Sequence, residues 1–533
     1  MRLSDVFVFS SHAVPLTQRM FVPIRRWTMQ RTTDLTAAAE AQVQVWLIIL
    51  MLLSAIVLWT GGGWSTAQAA QPTTIDPRRS LVVTDKAILS RFSFERVMDQ
   101  LVEQSGVPGL TSLDLFHQWW DTQNLHPGLG LGRHCDDQVD GGGNPILNDF
   151  PYTCRPDPAE GGQTTSNPFD APDTNPDAYI PIGLFNRFDL APSAGTHCGE
   201  YRIVYAKRSG IADARERNLL IFEAILPNPQ PNQGLAGCKK IVDYWGKLSK
   251  ENDIEKRAND LEKLYFEGLG NVPPVVHVSH YGDNPQKAGQ VRTNQFMQPS
   301  TVVWSLREFK LIRTCNGGHC SAMRFIPVTD KVNPFGPLHI PDPNLAHRKA
   351  GGYQAHFVTQ LRTNKDEASE SPKGLTGGTL KDIQFDVPDA FNTGQSQASG
   401  SQENDYLLHF TSLMPPAATP FNSAIQAELN ALGSLLTPEE VVLRAETQSC
   451  AGCHQLVNNK PIGGGLTWPA SLGFTHVTER TVEVVGGLER FQISPALLKE
   501  FIPQRKQIME DYLNDKLKKP KKPKETLSGR KTH

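Results

Sequence analysis

A dominant charge of either sign is missing from this chain. Its 53 lysines and arginines nearly cancel 55 aspartates and glutamates, leaving −2 over 533 residues. No global field therefore draws it to nucleic acid or to an anionic surface, and partners have to be argued locally. Several enzyme signatures are missing too: there is no Gly-rich phosphate loop, no zinc-protease helix and no serine-elbow pattern. Cysteine is scarce, at eight residues, while 43 glycines and 39 prolines are generous numbers that favour turns and irregular connections over a helical bundle. With 39% apolar residues the chain can build cores, and at this length it should divide into two or three of them.

One unbroken apolar run stands near the start, "VWLIILMLLSAIVLW" from Val45 to Trp59. It is followed by glycines and by the small-residue site Ala67-Gln68-Ala69, the arrangement of a secretory signal cleaved before Ala70. Extended through Trp64, the same run approaches the length of a membrane anchor. An exported chain favours disulfides. Setting aside Cys450 and Cys453 leaves six cysteines, for which neighbour pairing gives 135 with 154, 198 with 238, and 315 with 320. A metal site on Cys315, His319 and Cys320 would lack a fourth ligand nearby.

Apolar spacing predicts helices over 90–106 and over "TSLDLFHQWWDTQN". A Gly/Pro/Asp-rich loop follows to about Asp177. Asp136 and Asp140-Gly141 suggest calcium there, but Leu147 stands where a helix–loop–helix calcium site needs glutamate, so a solvated loop is the default. From Tyr179 to about Thr329 short runs alternate with period two: "GEYRIVYAKR", "RNLLIFEAIL", "PPVVHVSHY", "GQVRTNQFM", "VVWSLREFKLIR" and "AMRFIPVT". A helical insertion, "CKKIVDYWGKLSKENDIEKRANDLEKLYFEGL", interrupts them. On a strand, His277 and His280 would face opposite sides and share no metal. Arg187 with Asp189, His197 with Glu200 and Arg202, and Arg292 with Asn294 are expected as buried charge pairs of the β core. These phrases are similar to stretches of secreted bacterial proteins, a resemblance that supplies no activity.

The fold class expected is α+β and multidomain: a mainly antiparallel β-rich domain with helical insertions, then a small all-α domain. The boundaries are an N-terminal extension and signal over 1–69, a helical and loop-rich region over 70–178, the β-rich domain over 179–391, a Gly/Ser-rich linker over 392–404, the all-α domain over 405–517 and a basic tail over 518–533.

"QSCAGCHQ", residues 448–455, sets two thiols and an imidazole in five positions. C-x-x-C-H is the pattern of covalent haem attachment: two thiols one helical turn apart add to the vinyl groups, and the next imidazole reaches the iron. Thr437-Pro438-Glu439-Glu440 starts a helix with an N-cap, proline at N1 and glutamate at N3, and this helix runs to about Gln448 and into the motif. Zinc would need a fourth ligand and both adjacent Cys453 and His454 on one ion, and a redox dithiol normally opens a helix in a βαβ unit that is not visible here.

The capped helix followed by C-x-x-C-H resembles the cytochrome c family, over the last fifth of the chain. The resemblance implies haem c, with Cys450 and Cys453 as thioethers and His454 as the proximal iron ligand. It also implies a closing helix, met by "FIPQRKQIMEDYLNDKL" (501–517) with Ile508, Tyr512 and Leu513 inward, and a proline carbonyl, from Pro461 or Pro469, to receive the His454 N–H. The family's downstream methionine is missing from its loop. The sixth position falls to His476, to Met414 or Met509, or stays open, and His476 is also readable as a hydrogen-bonded residue of a β run. The function expected is one-electron transfer by an exported c-type cytochrome; a haem-dependent oxidoreductase with its substrate site in the β-rich domain, and an envelope scaffold, are the alternatives. A periplasmic redox partner is implied, nucleic acid is not, and membrane contact could come only through an uncleaved N-terminus or the basic tail.

Overall fold

The computed structural model describes residues 72–157, 162–296, 303–342, 346–361, 374–398, 403–412 and 419–516. The signal segment, Met414 and the basic tail lie outside the described residues. Residues from Pro72 onward form one compact unit, a mixed α/β fold around an antiparallel sheet.

Eight strands make that sheet: β1 (Val82–Val83), β2 (Tyr179–Arg187), β3 (His197–Lys207), β4 (Asn218–Pro227), β5 (Gln290–Gln295), β6 (Ser305–Asn316), β7 (His319–Val328) and β8 (Ser396–Gln397). They run in the order β1-β2-β3-β4-β5-β6-β8, with β7 hairpinned onto the distal part of β6. All pairings are antiparallel, as the alternating runs imply.

Period two splits the sheet into two unlike faces. One carries Tyr205, Phe222 and Phe309 against helices α1 (Phe94–Ser105) and α2 (Ser112–Asp121), where Trp119 stacks on Phe325 with ring centroids 4.3 Å apart. Ser93 caps α1, and Gly106 closes it in the left-handed conformation. The helical insertion forms α3 (Lys239–Leu248) and α4 (Ile254–Glu262), with Trp245 of α3 stacked on Tyr201. The opposite face carries Arg187, Arg202, Arg292 and Glu308, and it receives the C-terminal part of the chain.

Two of the expected pairs form, Arg187 with Asp189 and Arg202 with Glu200, while Arg292 finds carboxylates on the neighbouring strands. Arg187 holds Asp189 at 2.9 Å, Arg202 holds Glu200 at 2.5 Å and Glu223 at 3.2 Å, and Arg292 bridges Glu223 at 3.2 Å and Glu308 at 2.9 Å. Register explains the ladder: Arg202 lies opposite Glu223, and Arg292 opposite Glu308. Three disulfides join 135 with 154, 198 with 238 and 315 with 320, the neighbour pairing. They fit an oxidising compartment. Among the described residues no helix is long and apolar enough to cross a membrane.

Three expectations read differently in the structure. "PPVVHVSHY" is not a strand: two prolines withhold ladder donors, and Val278–His280 winds as a 3-10 turn that brings the rings of His277 and His280 to 4.9 Å on one side. The linker composition over 392–404 includes β8, which pairs with Leu306 and Ser305 of β6. Among its described residues the polar side chains are buried and bonded, as where Asn404 Oδ1 accepts Gln397 N–H at 2.8 Å and Asn333 Nδ2 donates to Gln395 O at 2.8 Å. Finally, residues 405–517 are not helical throughout. They hold α5 (Pro420–Ala431), α6 (Pro438–Glu446) and α7 (Ile502–Leu513), but also a hairpin of β9 (Val477–Val485) and β10 (Leu488–Ile493) turning at Gly486-Gly487. The main neighbours of α7 are the turn Phe188–Leu190 and α3, through Phe188 against Tyr512 and Leu513 beside Gly246. Its buried residues are Ile502, Arg505, Met509 and Tyr512, with Ile508 and Leu513 only half-buried.

Candidate functional site

The lead-in helix forms as its sequence dictates. Thr437 and Glu440 make a capping box, each side chain bonding the other's backbone N–H, and Pro438 takes the first helical position. After α6 the backbone winds through Cys450 and Ala451 into a widened, π-helical turn at Gly452–Leu456. Such turns gather at functional sites because they re-aim one side chain without ending a helix. Gly452 permits it: a Cβ there would lie 1.8 Å from the Glu446 carbonyl oxygen. From the sheet, β8 holds the turn through a 2.9 Å bond from Ala451 N–H to Ser396 Oγ.

Cys450, Cys453 and His454 are all buried. The two cysteines stand outside the three disulfides and point into different surroundings. Cys450 sits with Trp304, Leu306 and Ala398, whereas Cys453 joins the principal core. Burial pushes the Cys450 thiol well above its usual pKa, and Asp330 adds to the effect.

His454 Nδ1 lies 2.6 Å from the carbonyl oxygen of Phe474. A carbonyl only accepts, so Nδ1 carries the proton and the neutral ring presents its lone pair at Nε2. Burial lowers the pKa of His454 to about 4, with the Phe474 bond acting the other way, so the ring is neutral at pH 7. The carbonyl expected from Pro461 or Pro469 is thus supplied by Phe474, because the tight loop before β9 folds back over the motif. Ser471 Oγ donates to the His454 carbonyl at 2.5 Å and, with Asn458, staples that loop to the turn. Trp304 tilts over the imidazole at 6.0 Å and is fixed by Asn294 Oδ1 at 2.8 Å from its indole nitrogen.

His476 enters the same site. Its Nδ1 lies 2.8 Å from Ser494 Oγ, its Nε2 lies 3.3 Å from Cys453 Sγ, and burial holds its pKa well below the ordinary value. The ring centroids of His454 and His476 are 4.6 Å apart. With metal–nitrogen bonds of ~2 Å, two imidazoles on opposite sides of one ion stand roughly 6 Å apart, so the observed pair is too close to flank an iron without moving. Met509, buried in α7, lies beside Asn186 Nδ2 at 3.8 Å, on β2.

Between these histidines and the charged face of the sheet lies a narrow cleft of about 50 Å³, open in part to solvent. Phe185, Val204, Leu219, Ile221 and Leu497 make it apolar, and Arg187, Arg202 and Arg505 edge it with cations. That size is well below the roughly 300–1,000 Å³ of small-molecule sites, so a haem would enter only if the surrounding loops parted. In donor chemistry the residues suit a haem, with a neutral imidazole of fixed tautomer and apolar walls, but neither thiol lines the cleft and Arg187 and Arg202 are already paired with carboxylates of the chain. They fit zinc poorly, since among the described residues only one group, at His126, His134 and Asp137, brings three ligand atoms within 4.8 Å of one another.

Sequence reasoning singled out Cys453, His454 and His476, and they lie together, although the two imidazoles sit closer than ligands on opposite sides of an iron would. It missed the arginines' place at the cleft, which only cross-strand register reveals, and the Phe474 carbonyl, a backbone group with no side-chain signal. No family model matches the chain, and no similar curated protein or solved structure was found.

Proposed function

We propose that this chain is an exported haem protein, with Cys450 and Cys453 as the thioether links, His454 as the proximal ligand and one-electron transfer as its activity. The observation that carries the reading is His454: a buried imidazole held neutral, its Nδ1 proton committed to Phe474, next to an apolar, arginine-edged cleft. When bound, haem supplies a one-electron Fe(II)/Fe(III) couple. The protein's own residues do the rest. Phe474 and Trp304 fix the His454 ring, the apolar walls limit water at it, and Arg187 and Arg202, paired with Asp189, Glu200 and Glu223, set the charge at its edge. In this reading the C-terminal segment serves the role of a cytochrome c domain although its hairpin departs from that pattern, and the partner is a periplasmic redox protein.

His476 is the proposed distal ligand, and ligation requires it to draw away from Ser494 Oγ and Cys453 Sγ. A redox dithiol is disfavoured, because burial raises the Cys450 pKa and suppresses the thiolate that attack needs. The test is the optical spectrum of protein matured in a haem-attaching periplasm, with carbon monoxide and peroxide added. Electron transfer predicts a low-spin site that ignores both, and His476→Ala should convert it to one that binds them. A wild-type site that binds both would overturn the electron-transfer reading in favour of an oxidoreductase.

A further inference from the structure

A second cluster of metal-ligating residues stands apart from the motif, in the loop that follows α2. One ring nitrogen of His126, one of His134 and a carboxylate oxygen of Asp137 lie within 4.8 Å of one another. Each imidazole is also backed by a second carboxylate. His126 Nδ1 lies 2.8 Å from Asp136 Oδ1, which assigns that nitrogen the proton and leaves Nε2, 3.4 Å from Asp137 Oδ1, as the lone-pair nitrogen. His134 Nε2 lies 3.2 Å from Asp121 Oδ2, and both side chains are 2% exposed or less. Its Nδ1 and Nε2 are both buried without a hydrogen bond, so Asp121 stands beside the ring as a charged neighbour. A buried ring nitrogen in that condition costs free energy unless something coordinates it.

The surrounding loop is built to hold this arrangement. Asp121 accepts Leu129 N–H at 2.7 Å and Leu131 N–H at 3.1 Å, so it shapes the loop as well as backing His134. Gly128, at φ +44°, passes so close that a Cβ would lie 2.4 Å from Asp121 Oδ1 and 2.7 Å from His134 Nε2. The Cys135–Cys154 disulfide anchors the segment between His134 and Asp136. Carboxylate-backed imidazoles are the usual support of a metal-binding histidine, fixing its tautomer and raising its basicity.

We propose that His126, His134 and Asp137 bind one borderline divalent ion of the zinc class, with Asp121 and Asp136 as the orienting carboxylates. Two imidazoles and one carboxylate leave a coordination position to water, the donor set of an open zinc site rather than a closed structural one. Hard cations are not the fit, since calcium wants six to eight oxygens and two of the three donors here are nitrogens. Asp140, the other acidic residue of the loop, is committed to the Gly142 and Asn144 backbone at 2.8 Å each and takes no part.

The test is isothermal titration of Zn²⁺ into the full exported protein after chelator treatment, with the unfolding midpoint measured in parallel. One equivalent should bind, and His126→Ala and Asp137→Asn should each weaken it at least tenfold while leaving the midpoint of the metal-free protein unchanged, because both side chains are a third or more exposed. Asp136→Asn should weaken binding roughly 10- to 100-fold, the range of lost orienting partners. A variant with both Cys450 and Cys453 replaced by alanine should bind zinc as the wild type does, which separates this site from the motif. No binding, binding undiminished in His126→Ala and Asp137→Asn, or binding lost with the two thiols would each overturn the proposal.

Discussion

Replacing Arg217 with methionine should unfasten the site from the sheet. Arg217, just before β4, donates to Glu479 of β9 from Nε at 2.7 Å and from Nη2 at 2.9 Å, and the two side chains are 5% and 0% exposed. The same guanidinium reaches Gly473 O at 3.1 Å and Thr475 Oγ1 at 3.1 Å, so one side chain clamps both ends of the turn that presents Phe474 and His476. Removing one partner of a buried pair strands the other charge, at a cost of about 3–5 kcal/mol. Removing both spares that cost, so Arg217→Met with Glu479→Met should return to within ~1 kcal/mol of wild type. Urea unfolding measures all three proteins. A single variant that loses less than about 1 kcal/mol, as exposed pairs do, or a double variant as unstable as the single, would refute the reasoning.

Other consequences are as direct. Burial, with Asp405 nearby, raises the Glu446 pKa from 4.5 to about 8. The folded chain therefore holds a proton that the unfolded chain has lost, and this contribution to stability is complete below pH 4.5 and disappears as pH rises through about 8. Glu446→Gln should flatten the fall in urea midpoint between pH 5 and 9, and an unchanged slope would count against the buried carboxyl. The Cys198–Cys238 bridge closes 40 residues and should be worth about 4 kcal/mol, against about 2 kcal/mol for Cys315–Cys320, which closes five; unfolding of the two paired-alanine variants would show the reverse order if the loop argument failed. Gly452→Ala should destabilise by ~1–3 kcal/mol, because the added methyl meets the Glu446 carbonyl, and neutrality in the same assay would mean the turn is not as tight as described.

What could be read in the residues follows from periodicity and range. β3, β4, β6 and β7 announce themselves by alternation, and α6 by its capping box, since both signals are local. The stretch at 392–404 misleads because Gln395, Ser396 and Asn404 look solvated, yet they are fully buried, Gln395 and Asn404 bonded to Asn333, Asn404 also to Gln397, and Ser396 to Ala451. Val278–His280 misleads because apolar residues after two prolines resemble a strand as much as a turn. Cys450, Cys453 and His454 stand out through spacing alone. His126, His134 and Asp137 do not, because their spacing matches no motif and only the loop's own turns bring them together. The two faces of the sheet were implicit in the alternation of Arg202 with Ile203 and Arg292 with Val291, but which face meets the motif is a long-range fact.

The central claim is that Cys450, Cys453 and His454 hold a haem covalently, and the intact mass of the exported protein, taken with its dithionite-reduced spectrum, tests it most directly. The account predicts one haem's added mass that survives denaturation and is lost when both cysteines are replaced by alanine, together with a sharp reduced α-band. A bare polypeptide mass with no visible absorption, from cells that attach haem to a control cytochrome, would contradict it.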